Sequence, residues 1–137
     1  MLLLTEGTIF GLISGCLTAI GLALSNIGAK SKIKLIVMVL ISLALSDSIS
    51  DALGIYYSTY KDDQDISKSI REAGKALVGK AVIPLVMALI FWISQDAVQA
   101  GQIIIVLVAV LFLIINYVVF TENQIRVINS IIFILIF

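Results

Sequence analysis

The chain has 137 residues, of which 61% are hydrophobic and 13% charged, and its nine Lys and Arg balance nine Asp and Glu. A soluble domain carries about a quarter charged residues and roughly 45–50% apolar ones, so this composition excludes an ordinary cytosolic enzyme, a disordered tail and an electrostatic binder of nucleic acid. With no His and a single Cys, Cys16, a zinc finger, a disulfide framework and a Ser-His-Asp triad are excluded as well. The mean hydropathy of +1.15 makes lipid the solvent of most of the chain, and the length suits one membrane domain.

A membrane-crossing helix needs about 20 largely apolar residues, because the hydrocarbon core is ~30 Å thick and each residue rises ~1.5 Å. Five such runs are predicted, at about 7–25, 33–57, 77–93, 102–120 and 123–137. The expected fold class is therefore all-α, a multi-pass helical bundle. The opening MLLLTEGTIF has no Lys or Arg ahead of its apolar stretch, so it does not read as a secretory signal.

The first run carries Gly7, Gly11 and Gly15 on one helix face. Small residues four apart let two backbones approach closely and gain dispersion contacts, which replace the hydrophobic drive that is absent in lipid. Either the second span or a second copy of the chain can supply the other surface. Cys16, beside this face, reads as a small packing residue.

The second run, SLALSDSISDALGIYYS, carries the chemistry. Ser46, Ser50, Gly54 and Ser58 form a small, weakly polar stripe, and Asp47 and Asp51, also four apart, form an acidic one. A single aspartate at mid-membrane costs roughly 2.5–3.5 kcal/mol on insertion scales. The pair must therefore face protein, water or a cation, or be protonated. Lys80, early in the third run, is the one candidate for a structural ion pair with Asp51 if these two spans pack antiparallel, although its long stem also lets it reach the headgroups. The other reading makes the acids part of an ion pathway. Two carboxylates with hydroxyls nearby, Asp47, Asp51 and Ser50, offer hard oxygen ligands, which favour Mn²⁺, Fe²⁺ or Mg²⁺ over Cu⁺ or Zn²⁺.

The one sizeable polar segment, 58–76, places Ile66, Ile70 and Ala73 at helical spacing and predicts a short amphipathic helix at the membrane surface. Its Asp62, Asp63 and Asp65 lack the Gly and Glu of an EF-hand and read as a solvated acidic turn, with a metal antechamber as the alternative. Pro84 is expected to kink the third span. Asn116 is expected to bond across helices, and Tyr117 and Trp92 to anchor at interfaces. The fifth run is the weakest, since its uninterrupted apolar part is only 131–137. Six Lys and Arg fall on the side of the second and fourth connections (Lys61, Lys68, Arg71, Lys75, Lys80 and Arg126), against Lys30, Lys32 and Lys34 opposite. This places the N-terminus and 58–76 in the cytoplasm.

Ser50-Asp51-Ala52-Leu53-Gly54-Ile55-Tyr56-Tyr57-Ser58 resembles the second-span motif S-M-A-x-G-E-Y-x-S of the vacuolar iron transporter family. Gly7-Thr8-Ile9-Phe10-Gly11 is similar to that family's first-span G-x-x-D-G turn, and Gly79 with Pro84-Leu85 to its third span. The likeness covers about the first two thirds of the chain. It departs at Phe10, where the family has an aspartate, at Asp51 in place of methionine and at Ile55 in place of glutamate. The family's long glutamate-rich cytoplasmic segment is also missing. The resemblance implies a small, divergent five-span homodimer with a path between protomers lined by spans one and two. Asp47 and Asp51 would then be the acids on that path, four carboxylates in a dimer, with Gly11, Gly15 and Gly54 in close packing.

The expected function is secondary transport of a divalent metal, Fe²⁺ or Mn²⁺, with proton exchange on the same carboxylates. The alternative is a non-transporting structural or accessory membrane protein, in which Asp47, Asp51 and Lys80 hold the bundle together or dock a larger subunit. No nucleotide motif and no nucleophile–base constellation is present, so neither an ATP-driven pump nor an enzyme is expected, and no cofactor beyond the carried ion.

Overall fold

The structure is a computed structural model that describes residues 6–122. It is all-helical: α1 (Glu6–Gly28), α2 (Ile33–Asp63), α3 (Ile66–Ser94) and α4 (Ala97–Glu122). Each is long and apolar enough to cross a membrane. The predicted fifth span, 123–137, lies outside the described residues.

The helices end where local chemistry stops them. Gln64 and Gln95 adopt left-handed backbone, each with φ near 54°, and their N–H groups donate to Tyr60 O and Phe91 O. These are the αL turns that close helix C-termini. An aspartate follows each. Asp65 Oδ1 accepts from Lys68 N at 3.1 Å, and Asp96 Oδ1 accepts from Val98 N at 2.8 Å and Gln99 N at 3.0 Å. The dipeptide Gln-Asp thus serves twice as a complete helix–helix connection, a C-terminal stop followed at once by an N-cap.

These caps revise the expected boundaries. The segment 58–76 is not a separate element: it is the last turns of α2, a two-residue turn and the first turns of α3. At 31 residues α2 is about 46 Å long, so it outreaches the ~30 Å hydrocarbon core and carries its charged end beyond it. Ile66 and Ile70 are exposed, while Ser69 is buried. Pro84 lies fully buried within a continuous α3.

By contacts the chain divides into two units, Met1–Ile104 and Ile105–Phe137. In the first, α3 is the central helix; both α1 and α2 pack on it, and they touch one another less. The buried face of α2 repeats every four residues, through Ile36, Leu40, Ala44, Ser48 and Ala52. Large apolar residues point outward instead, among them Leu45, Ile49 and Leu53 on α2 and Val78, Leu89 and Ile93 on α3. So much exposed apolar surface is a liability in water and the natural exterior of a bundle in lipid. In the second unit, Asn116 Nδ2 donates to Phe112 O at 2.9 Å, a bond within α4 in place of the expected bond across helices.

The glycine face of α1 meets α3. A methyl group on Gly11 would lie 2.5 Å from Ala76 O, and one on Gly15 would lie 2.8 Å from Lys80 O and 3.1 Å from Lys80 Cα. Reciprocally, one on Gly79 would lie 3.1 Å from Thr8 O. Backbone touches backbone, as small residues four apart permit, and α3, not the second span, lies against this face at Gly11 and Gly15. Gly7 sits in the first turn of α1. Gly54, expected in close packing, has open space around it. Overpacking a tight contact costs about 1–3 kcal/mol, so Gly11→Ala and Gly15→Ala are expected to lower the thermal midpoint in detergent. Gly21→Ala, where nothing lies within 4 Å, is expected to leave it unchanged or raise it slightly.

Candidate functional site

Lys80 follows Asp65 by fifteen residues, and the same count back from Gln64 reaches Ile49, midway between Asp47 and Asp51. The tight Gln64–Asp65 turn therefore brings Lys80 level with both acids. One turn of helix separates the acids, so both can reach a group placed between them. The close contact of Gly15 with the Lys80 backbone fixes the position of that residue from the α1 side.

The side chains complete the arrangement. Lys80 Nζ lies 2.8 Å from Asp47 Oδ2 as an ion pair and donates a hydrogen bond to Asp51 Oδ2. Ser14 Oγ of α1 donates to the same Asp51 oxygen at 3.3 Å. Three helices thus meet at one polar point. The lysine side chain is 4% exposed, against 30% for Asp47 and 24% for Asp51. The cation is sealed inside the bundle and the carboxylates lie at its edge.

Two polar atoms remain unmatched. Asp47 Oδ2 makes its contact with Lys80 without the alignment of a hydrogen bond, and Ser48 Oγ, on the buried face of α2, has no hydrogen-bond partner. Leaving a buried polar group unpaired costs about 1–3 kcal/mol, so each of these atoms has hydrogen-bonding capacity to spare. Ser14 also lines an open groove of about 350 Å³ with Phe10, Ile13, Leu17 and Thr18.

The site departs from the sequence-based expectation in its hydroxyls. Ser50, expected beside the acids, is exposed, as are Ser46 and Ser58. The hydroxyl that bonds an acid is Ser14, while Ser48 is the one kept on the buried face. Among the described residues no group of three or more His, Cys, Asp or Glu gathers as a metal-ligand set. Cys16 is buried and free. The acids Asp62, Asp63 and Asp65 sit at the exposed hairpin tip, where Asp63 pairs with Lys68 at 2.7 Å, a solvated contact of small energetic weight.

What the arrangement does chemically follows from its groups: two carboxyl groups share one ammonium, so with both ionised one negative charge is uncompensated. Breaking a buried pair by removing one partner costs about 3–5 kcal/mol when the remaining charge is trapped. Here the acids are part-exposed and the lysine is not. Removal of one acid leaves Lys80 a partner, whereas removal of Lys80 leaves two adjacent carboxylates. Lys80→Met is therefore expected to destabilise the protein more than Asp47→Asn, by about 3 against about 1 kcal/mol, read from detergent-solubilised thermal unfolding. No known family model matches the sequence, and neither does any curated protein or solved structure.

Proposed function

We propose that this integral membrane helical bundle is a secondary transporter of divalent metal ions, Fe²⁺ or Mn²⁺, which it takes at Asp47 and Asp51. The observation that carries this reading is the convergence of two intramembrane carboxylates on the single ammonium of Lys80. A net charge held within a membrane helix bundle is expensive. A purely structural clasp needs one acid for one base. The second acid makes sense if the site takes up a further positive charge, and a divalent ion in place of the ammonium would balance both carboxylates. The donors are oxygens of aspartate and serine, the hard ligands that suit Mn²⁺, Fe²⁺ or Mg²⁺. A proton taken up when the ion leaves gives metal–proton exchange on the same groups.

The dimer belongs to this proposal. One chain offers two carboxylates, and a second copy would supply two more. The resemblance of the second span to the vacuolar iron transporter family supports the same assembly. So does the exposed small face of α2 at Ser46, Ser50, Gly54 and Ser58, which leaves room for a close neighbour. In the proposed orientation, set by the Lys and Arg bias, the N-terminus and the Gln64–Asp65 turn face the cytoplasm.

A second reading is favoured by the contacts of Lys80. Because it reaches both acids, and Ser14 reaches one of them, the network ties α1, α2 and α3 together without any ion. In that case the chain is a non-transporting structural or accessory subunit.

Flux separates the two. In proteoliposomes under an imposed pH gradient, Mn²⁺ and Fe²⁺ entry is expected in the wild type and is expected to vanish in Asp47→Asn/Asp51→Asn. No entry from well-folded wild-type protein would overturn transport and leave the structural reading.

A further inference from the structure

We infer that Lys80 is a tethered competitor for the cation at this site: its ammonium holds the ion's place while the site is empty, and a free ion binds only by displacing it. This rests on the reading that Asp47 and Asp51 take a divalent cation.

The ammonium lies where such an ion would sit. The oxygens facing it, Asp47 Oδ2 and Asp51 Oδ2, are those that converge from α2 on one point. Two positive charges cannot share that point, since like charges a few ångströms apart inside a protein repel strongly. The lysine backbone is locked, because Gly15 packs directly on its Cα and carbonyl. The side chain, by contrast, ends a flexible four-carbon stem. Displacement can therefore be a movement of the lysine head alone, with α3 staying in place.

The fit of the ammonium is also incomplete. An ammonium group directs its N–H donors along fixed axes. Here it is aligned on Asp51 Oδ2, while Asp47 Oδ2 is held as an ion pair at 2.8 Å without the alignment of a hydrogen bond. A metal ion gathers oxygens with far less directional demand, so it can engage the Asp47 and Asp51 carboxylates alike. Asp47 Oδ2 is itself buried, so an ion reaches it past the part-exposed remainder of the two carboxylates, while Lys80 is sealed in. A resident cation of this kind selects for ions: only a species with more charge than the ammonium, delivered to the same oxygens, gains by the exchange.

The test is Mn²⁺ titration of the purified, detergent-solubilised protein, reading free Mn²⁺ by electron paramagnetic resonance and the thermal midpoint in parallel. Wild type, Lys80→Gln and Lys80→Arg are compared. Lys80→Gln is expected to bind Mn²⁺ at least about tenfold more tightly than wild type, because the competing charge is gone. Its thermal midpoint, lowered without metal, is expected to recover on adding Mn²⁺. Lys80→Arg, with a permanent charge and a wider donor fork, is expected to bind more weakly than wild type. If wild type binds Mn²⁺ and Lys80→Gln binds equally or less, the inference fails while the cation site stands. If Lys80→Gln cannot be purified folded, Lys80→Arg decides, and binding equal to or tighter than wild type overturns the inference. If neither wild type nor folded Lys80→Gln binds Mn²⁺, the cation reading itself fails and takes the inference with it.

Discussion

A lysine head group sealed among apolar helices is tolerable only if opposite charge is held against it, and this requirement organises the first unit of the chain. Lys80 sits on α3 with its ammonium inside the bundle, and α2 must bring Asp47 and Asp51 to it. Helix α1 must then come close enough for Ser14 to support Asp51. That approach is possible because Gly11 and Gly15 have no side chains to hold the α3 backbone away. The glycines and the ion pair are thus one device. Close backbone contact sets where Lys80 stands, and the charges set which way its side chain turns. In lipid, where apolar faces gain little from meeting one another, such local features carry much of the specificity of packing.

Topology does the rest. A two-residue turn between α2 and α3 admits essentially one antiparallel register, and in it the lysine falls between the two acids. The Gln-Asp pair that forms this turn recurs between α3 and α4, with the same left-handed glutamine and the same capping aspartate. Because the caps use short-range hydrogen bonds, the turns need no tertiary contact to define them. Insertion of a single residue there would rotate α3 by about 100° and move Lys80 away from both carboxylates.

Much of this was legible in the residues. Apolar runs long enough to cross a bilayer located α1 to α4, and the cost of two intramembrane acids singled out Asp47 and Asp51. Lys80 was the visible candidate partner, since no other cation lies early in the third run. The partner of the glycine face was not legible, because a stripe of small residues shows that something comes close without saying what. The facing of α2 was hidden for a related reason: a helix apolar on every side has almost no periodicity to say which stripe points inward. Ser50 is exposed, and the hydroxyl that bonds Asp51 comes from Ser14 on another helix, which no pattern in α2 could reveal. The extent of α2 and α3 was underestimated because the hydropathy signal stops at the membrane boundary and the helices do not. Reading Gln64-Asp65 and Gln95-Asp96 as stop-and-cap pairs would have located both turns.

The central claim is that the α2 acids and Lys80 act as one coupled unit, and a double-mutant cycle reads that coupling most directly. The cycle compares unfolding free energies in detergent for Asp51→Asn, Lys80→Gln and the two combined. An interaction energy of about 1.5 kcal/mol or more is expected, within the range for residues that share a polar network. Effects that add to within about 0.5 kcal/mol would contradict it, and would mean that Lys80 and Asp51 do not meet inside the bundle.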